Sequence, residues 1–324
     1  MQRRRFIASA LVASGLPKVA VLSAERVFRI GWVTTNTQGK TGPLLDALRG
    51  ELEEFGYIES NNLRIEARDA DEVPAKTPEI VHKLVADGVD LIVTQGTATR
   101  PVAASAGPVP VVFIFSGDPV AAGLTSSLAR PSGNCTGISL MEIELNTKRL
   151  ELLHDILPGL TRAAILASPE HPGEPQEQAN AAAAAKRLGI ELAYFPVTTK
   201  AQLEASFAPL VAGRSEAIVV FPDPVTSVNR DRIVQVAMAQ RVPVISGWAL
   251  FAQSGALCTY GPRLIASYQR AAYFVDRILR GAKPRELPIE QPSVLELVVN
   301  LKSARDLGIA VPLTVLAGAD DVIE

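Results

Sequence analysis

The sequence predicts an α/β protein of two Rossmann-like lobes, each with a parallel sheet, set face to face across a cleft. Three observations carry this. Short runs rich in Val, Ile and Ala alternate with amphipathic stretches, the mark of buried parallel strands joined by right-handed crossovers. One pattern also occurs twice: Val109-Pro110-Val111-Val112-Phe113, Ser116-Gly117-Asp118-Pro119 and Gly133-Asn134-Cys135-Thr136-Gly137 are echoed by Val242-Pro243-Val244-Ile245, Ser246-Gly247-Trp248 and Gly255-Ala256-Leu257-Cys258-Thr259-Tyr260. Each copy reads as strand, Gly-containing turn, helical stretch and second strand. Finally, 324 residues with 48% hydrophobic and 5% aromatic content allow two ordinary domains with ample cores. Loops after parallel strands lie at the carboxyl edge, where open α/β sheets bind ligands, so two lobes would bring two such edges together.

In order, Val27 to Val33 reads as the first strand and Gly42 to Phe55 as an amphipathic helix with Leu44, Leu45, Leu48, Leu52 and Phe55 on one stripe. Strands at 63–67, 90–94, 111–115 and 135–138, with a helix over 78–87 and another opening at Gln95-Gly96-Thr97, complete a five-stranded first lobe. Leu140 to Leu145 reads as a crossing segment, followed by a helix from Asn146 to Leu157. Strands at 163–167, 190–195, 217–221, 242–245 and 257–260 form the second lobe. A long helix over 262–279, a strand over 295–299 and a helix over 301–307 follow.

The chain opens Arg3-Arg4-Arg5-Phe6-Ile7 and continues apolar to Leu16, a charged segment before a short hydrophobic one, with cleavage expected near Ala24. The apolar run is shorter than the roughly 20 residues needed to span a bilayer. Arg-Arg-x-Phe-Ile resembles the twin-arginine export signal, which places the mature chain in the periplasm, without stable membrane insertion. A formal charge of −2 lacks the basic face that nucleic-acid binding needs.

Gly39-Lys40-Thr41 stands where a phosphate-binding loop would, but that motif needs glycine at position 34, which is threonine. His82, His154 and His171 share no metal spacing, and there is no G-x-S-x-G and no G-x-G-x-x-G after the first strand. No catalytic residue, metal site or cofactor is therefore expected. What remains is polar loops after strands. Gln95-Gly96-Thr97 offers amides, and Ser116-Gly117-Asp118-Pro119 and Phe221-Pro222-Asp223-Pro224 each offer a carboxylate. Either aspartate suits a ligand or simply caps the helix its proline begins.

The chain resembles the ABC transporter substrate-binding proteins of the tryptophan/tyrosine-type uptake family. The resemblance rests on Gly117-Asp118-Pro119, Arg130-Pro131-Ser132-Gly133-Asn134-Cys135-Thr136-Gly137, Lys148-Arg149-Leu150-Glu151-Leu152-Leu153, Tyr260-Gly261, Arg277-Ile278-Leu279-Arg280-Gly281, Glu296-Leu297-Val298 and the terminal Ala319-Asp320-Asp321-Val322-Ile323-Glu324. It implies a type I periplasmic binding protein with three crossovers near Leu140, Tyr260 and Ile289. Lobe I would hold residues 27–140 and 260–288, and lobe II residues 141–259 and 289–324. It implies a monomer that closes on an aromatic amino acid or related aromatic acid and delivers it to an ABC transporter permease. A ligand sensor and an enzyme on the same scaffold are the alternatives.

On that fold the ligand is expected between Thr35, Gly96, Thr97, Ser116, Gly117 and Asp118 of the first lobe and Asp223, Gly247 and Trp248 of the second. Gly96-Thr97 amides would take a carboxylate, an aspartate the ammonium and Trp248 the ring. The last strands of the two lobes would meet at the hinge, making Cys135 and Cys258 neighbours and a disulfide possible. Cys135, Cys258, Ala249-Leu250 after Trp248 and Ser168-Pro169 depart from the family's usual residues, which points to a less polar pocket.

Overall fold

Two separate sheets organise the computed structural model, which describes residues 26–35, 42–70, 74–140, 142–171 and 173–324. The expected export segment 1–24 and Gly39-Lys40-Thr41 lie outside the described residues. The first sheet comprises β1 (Phe28–Thr34), β2 (Leu63–Asp69), β3 (Leu91–Gln95), β4 (Val111–Phe115) and β5 (Cys135–Ser139), with α1 (Pro43–Glu54), α2 (Thr77–Ala86) and α3 (Thr99–Ser105) between them. Its order is β2-β1-β3-β4-β5, and every pair is parallel. Helix α1 forms because Leu45, Leu48 and Leu52 recur at helical spacing and bury against the sheet, and Pro43 supplies a ready-made first turn.

The second lobe runs α4 (Glu142–Ile156), β6 (Arg162–Ala167), α5 (Glu174–Leu188), β7 (Glu191–Pro196), α6 (Lys200–Ala212), β8 (Ala217–Val220), α7 (Pro224–Val228), α8 (Arg230–Ala239), β9 (Val244–Ser246), α9 (Ala249–Gln253) and β10 (Cys258–Pro262). Helix α10 (Leu264–Leu279) follows, then β11 (Leu295–Asn300), α11 (Leu301–Leu307), α12 (Leu313–Ala317) and β12 (Asp321–Ile323). The second sheet has the order β12-β11-β10-β9-β8-β6-β7.

Helix α10 does not stay with the lobe that precedes it. Tyr268, Ala271, Ala272, Phe274, Val275 and Ile278 join Ile30, Trp32 and Leu48 in the core of the first lobe. The chain then touches the first sheet again, where Glu290 bridges Ile138, before β11 returns to the second. The main chain thus passes between the sheets after β5, after β10 and before β11.

Three expectations need correction. The second sheet is mixed, because β11 pairs antiparallel with β10; it enters from the first lobe rather than through a helical crossover on its own sheet. A further short strand, β12, pairs parallel with β11 at the end of the chain. Leu140 to Leu145 is not an extended crossing segment, since α4 begins at Glu142; Glu142 and Glu144 occupy its first turn, where acidic side chains favour a helix start.

Candidate functional site

A cavity of about 650 Å³ lies between the carboxyl edges of the two sheets. Its first-lobe wall is largely apolar, built from Trp32, Leu45, Ile114, Leu140 and Tyr268. The Trp32 and Tyr268 rings lie 6.0 Å apart at 49°. Tyr268 donates its hydroxyl to Gln95, and burial pushes its pKa well above the usual phenol range. The wall is therefore a rigid aromatic surface with its one phenol already satisfied. The second-lobe wall carries Asp223, His171, Ser227, Arg230 and Trp248.

Asp223 stands just past β8 as the N-cap of α7. Its Oδ1 accepts from the Thr226 backbone N–H at 2.7 Å, and the Thr226 hydroxyl accepts from the Asp223 N–H at 2.9 Å. That is a capping box closed by threonine, with Pro224 in the first turn. The side chain is 3% exposed, and its second oxygen, Oδ2, is buried with no protein partner. Burial raises the Asp223 pKa; the Thr226 N–H and the nearby His171 oppose this. One oxygen is thus spent on the helix, and the other is left buried without a partner among the described residues, on a residue that lines the cavity.

The lobes touch beside this cavity. Ser116 Oγ, at the end of β4, hydrogen-bonds Nε2 of His171 from the second lobe. On the imidazole's other side Nδ1 lies 3.2 Å from Glu177 Oε2 on α5. Burial alone would lower the His171 pKa, but Glu177, with Asp223 and Glu142 behind it, outweighs that and raises it. Next to this bond the main chains approach directly: a Cβ on Gly117 would lie 3.1 Å from the Gly173 nitrogen. A side chain there would press on the Gly173 backbone and the Phe115 ring.

Trp248 spans the two lobes, packing against both the first-lobe core and the second-lobe core. Its Nε1 donates to Glu142 Oε1 at 2.9 Å. Glu142 and Arg149 are fully buried and pair at 2.6 Å. Arg149 also donates to Asn146 Oδ1 at 2.7 Å and to the Tyr260 carbonyl at 2.8 Å. Burial raises the Glu142 pKa, and Arg149 pulls against it. Gly247 closes the arrangement, since a Cβ there would overlap the Arg149 guanidinium.

Of the residues expected at the site, Thr35, Gly96, Ser116, Asp223 and Trp248 line the cavity. Thr97 sits behind Thr35, their hydroxyls 2.8 Å apart, and edges an open surface groove with Arg100. Gly117 makes the lobe contact and Gly247 lies against Arg149, both without entering the cavity. Asp118 is exposed outside it, its Oδ1 accepting from the Val120 N–H at 2.7 Å as a local turn cap. The sequence reading missed Arg230, His171, Glu142 and Arg149. The ring of Trp32, in the first strand, is both core and cavity wall.

The cysteines are not bridged; both are free and buried. Each is the first residue of its strand, at the end away from the crossings, and the two belong to different hydrophobic clusters. Burial pushes the Cys135 thiol up to about 11 and the Cys258 thiol to about 12. Among the described residues no helix is long and apolar enough to cross a membrane.

Residues 42–323 match the model of the family described as ABC transporter substrate binding protein. A "Tyrosine-binding protein" of Clostridioides difficile is 25% identical over 251 residues, 77% of this chain and 72% of that protein. A crystal structure of a conserved domain protein from Vibrio cholerae superposes with a TM-score of 0.84 at 25% identity, covering 92% of this chain and all of that one. An ABC domain from Streptococcus pneumonia in complex with L-Trp has the same score and coverage at 23% identity. The ligand-free, open structure of a substrate-binding protein with adhesive properties from Clostridium difficile, also 23% identical, superposes at 0.64 over 92% of this chain and 99% of that one.

Proposed function

The chain belongs to the ABC transporter substrate-binding protein family, and on that premise we propose that it closes around an aromatic amino acid or related aromatic acid and presents the closed form to its permease. The observation that carries the ligand class is the unpartnered, buried Oδ2 of Asp223 opposite the Trp32–Tyr268 wall. A buried carboxylate oxygen without a partner is costly, and a ligand cation removes that cost through a charge-assisted hydrogen bond. The aromatic wall matches a ring, since offset or tilted aromatic contacts add to plain burial. The tyrosine-binding relative and the L-Trp complex of a structural neighbour support the same ligand class.

The lobe contacts at Ser116–His171 and Gly117–Gly173 describe a closed arrangement, and the higher score against the L-Trp complex than against the open structure agrees. Residues from both walls are needed to surround a ligand, so closure is driven by binding.

A second reading has one feature in its favour. Ser116, His171 and Glu177 form a hydroxyl–imidazole–carboxylate row, the order found in serine hydrolases. A base must be neutral to take the serine proton, however, and Glu177, Asp223 and Glu142 around His171 all favour its protonated form. We therefore read the row as a lobe contact and the chain as a binding protein without enzymatic activity.

A thermal-shift screen over amino acids and aromatic acids identifies the ligand, because saturation at 100 times Kd adds roughly 2.7 kcal/mol. Calorimetry of Asp223→Ala against the ligand found then tests the site. Loss of a buried charged partner weakens binding by about 2–5 kcal/mol; unchanged affinity with a lowered Tm would return Asp223 to capping alone. Members of this family work outside the cytoplasmic membrane, and for this chain we assign export to the Arg3-Arg4 signal. Mass spectrometry of periplasmic protein should find residues up to about Ala24 removed, and an intact Met1 would count against it.

A further inference from the structure

We propose that Glu142 and Arg149 are positioning residues for Trp248, holding its indole in one orientation in the cavity wall and so setting which aromatic side chain the cavity prefers; this rests on the aromatic reading above. Trp248 lines the cavity between β9 and α9. The main chain before it is confined from two sides. A Cβ on Gly247 would overlap the Arg149 guanidinium, and one on Gly261 would overlap the Gly247 carbonyl. Gly247 is thus wedged between that guanidinium and β10. The side chain is held by a single polar bond. Its Nε1 donates to Glu142 Oε1 at 2.9 Å, and Glu142 Oε2 accepts from Arg149 Nη2 at 2.6 Å. Arg149 is held in turn by Asn146 Oδ1 at 2.7 Å and the Tyr260 carbonyl at 2.8 Å.

Stability alone does not account for the pair. Both side chains are completely buried, and replacing such a pair by apolar side chains of similar volume is often neutral or stabilising. What this pair adds is direction. With Arg149 fixed by Asn146 and Tyr260, Oε2 is fixed, and Oε1 is offered to the indole at one place. Trp248 otherwise packs through apolar contacts with the cores of both lobes. Such contacts have no preferred direction of their own, so the one hydrogen bond decides how the indole sits. An apolar pocket tells side chains apart by the space they fill, and a turned indole would change that space. Glutamine cannot do the work of Glu142. A carboxylate accepts on both oxygens, whereas a carboxamide accepts on one and donates from its nitrogen. Both neighbours are donors. In Glu142→Gln the charged guanidinium takes the remaining oxygen, and the amide NH2 is turned against the indole N–H.

The test is Glu142→Gln, read in two ways. The chain has two tryptophans, so 15N-indole labelling gives a pair of Nε1–H cross-peaks, and Trp32→Phe identifies that of Trp248. In ligand-free Glu142→Gln the Trp248 cross-peak should move and exchange faster with solvent, while the Trp32 cross-peak stays. Calorimetry with L-tryptophan, L-tyrosine and L-phenylalanine should show the Kd ratio between the best and the worst held falling about fivefold. In a Trp248→Phe background Glu142→Gln should leave that ratio unchanged, because no N–H remains to be held. An unmoved Trp248 cross-peak, or a weakening of all these ligands by one common factor, would overturn the proposal and leave the pair a structural one. A wild type that holds them equally would overturn the selectivity role. Should Glu142→Gln not fold, the double variant Glu142→Met/Arg149→Met removes both charges at similar volume and also leaves the indole without its acceptor. The same shift and the same fall in ratio are expected there, and their absence counts equally against the proposal. If none of the three amino acids binds wild type, the aromatic reading fails and the selectivity role with it, while the cross-peak still decides whether Glu142 holds Trp248.

Discussion

Trp248 Nε1 donates to one oxygen of Glu142 at 2.9 Å, and the other oxygen of Glu142 holds Arg149 at 2.6 Å. The indole that walls the cavity is therefore tied to the first turn of the helix that follows the first crossing between lobes. Arg149 in turn holds the Tyr260 carbonyl, close to the second crossing. One buried ion pair thus links the ring to segments beside both crossings.

Glu142→Ala leaves a buried guanidinium without its counter-ion, which should cost about 3–5 kcal/mol in urea unfolding. Trp248→Phe keeps the apolar packing and loses only the hydrogen bond. It should shift stability by about 1 kcal/mol and weaken ligand binding by more than that. Equal stability losses in the two variants would show that Arg149 does not depend on Glu142.

His171 makes stability depend on pH with a definite sign. Its folded pKa is raised, so its contribution is complete below the ordinary imidazole value of about 6.5 and is lost as pH rises through the raised value. The groups facing it are Glu177 on α5, Asp223 before α7, Glu142 on α4 and Ser116 from the first lobe. Tm should fall as pH climbs from mildly acid to alkaline, and His171→Gln should flatten that slope. A wild-type Tm that rises over the same range would contradict the assigned direction.

The approach of Gly117 to Gly173 can be blocked without touching the cavity. Gly173→Val sets a side chain where Gly117 Cα and Ile143 already stand 3.1 and 3.3 Å from a Cβ. The lobes should stay apart. Small-angle scattering should then show no compaction on ligand addition, and affinity should drop about tenfold or more, roughly 1.4 kcal/mol. Normal compaction would mean that closure does not pass through this contact.

Both thiols should be unreactive in the native protein and titrate as two free groups once it is unfolded without reductant. Recovery of no free thiol from unreduced, denatured protein would reinstate the bridge.

The lobes were readable because a parallel strand needs a β-branched run and its crossover helix needs a stripe, and both are local. Asp223 was readable for the same reason, as Asp before Pro marks a helix start. Asp118 carries the same local mark, yet its carboxylate only caps a turn at the surface. The two aspartates part company through burial, which no short window displays. The interactions that were missed join distant residues: Ser116 with His171 across 55 positions, Trp248 with Glu142 across 106, Arg149 with the Tyr260 carbonyl across 111. Spacing arguments see none of these. His171 lacked a metal-ligand spacing because its partners are a serine and a glutamate. Arg230 looked like an ordinary charged residue of an amphipathic helix, since nothing local says that its neighbours leave it unpaired.

The path of α10 bears on how the chain is made. Strands β10 and β11 are adjacent in the second sheet, yet residues 263–294 between them are spent largely on the first lobe. The first core cannot be completed until α10 has left the ribosome, and the second sheet cannot be completed until β11 and β12 have. The first lobe therefore cannot finish folding until most of the second has been synthesised, so the two lobes do not fold strictly one after the other along the chain. The segment from α10 to β12 arrives as the closing piece of both lobes. A truncation before α10 should leave the first lobe without its full core, and one before β11 should leave the second sheet incomplete.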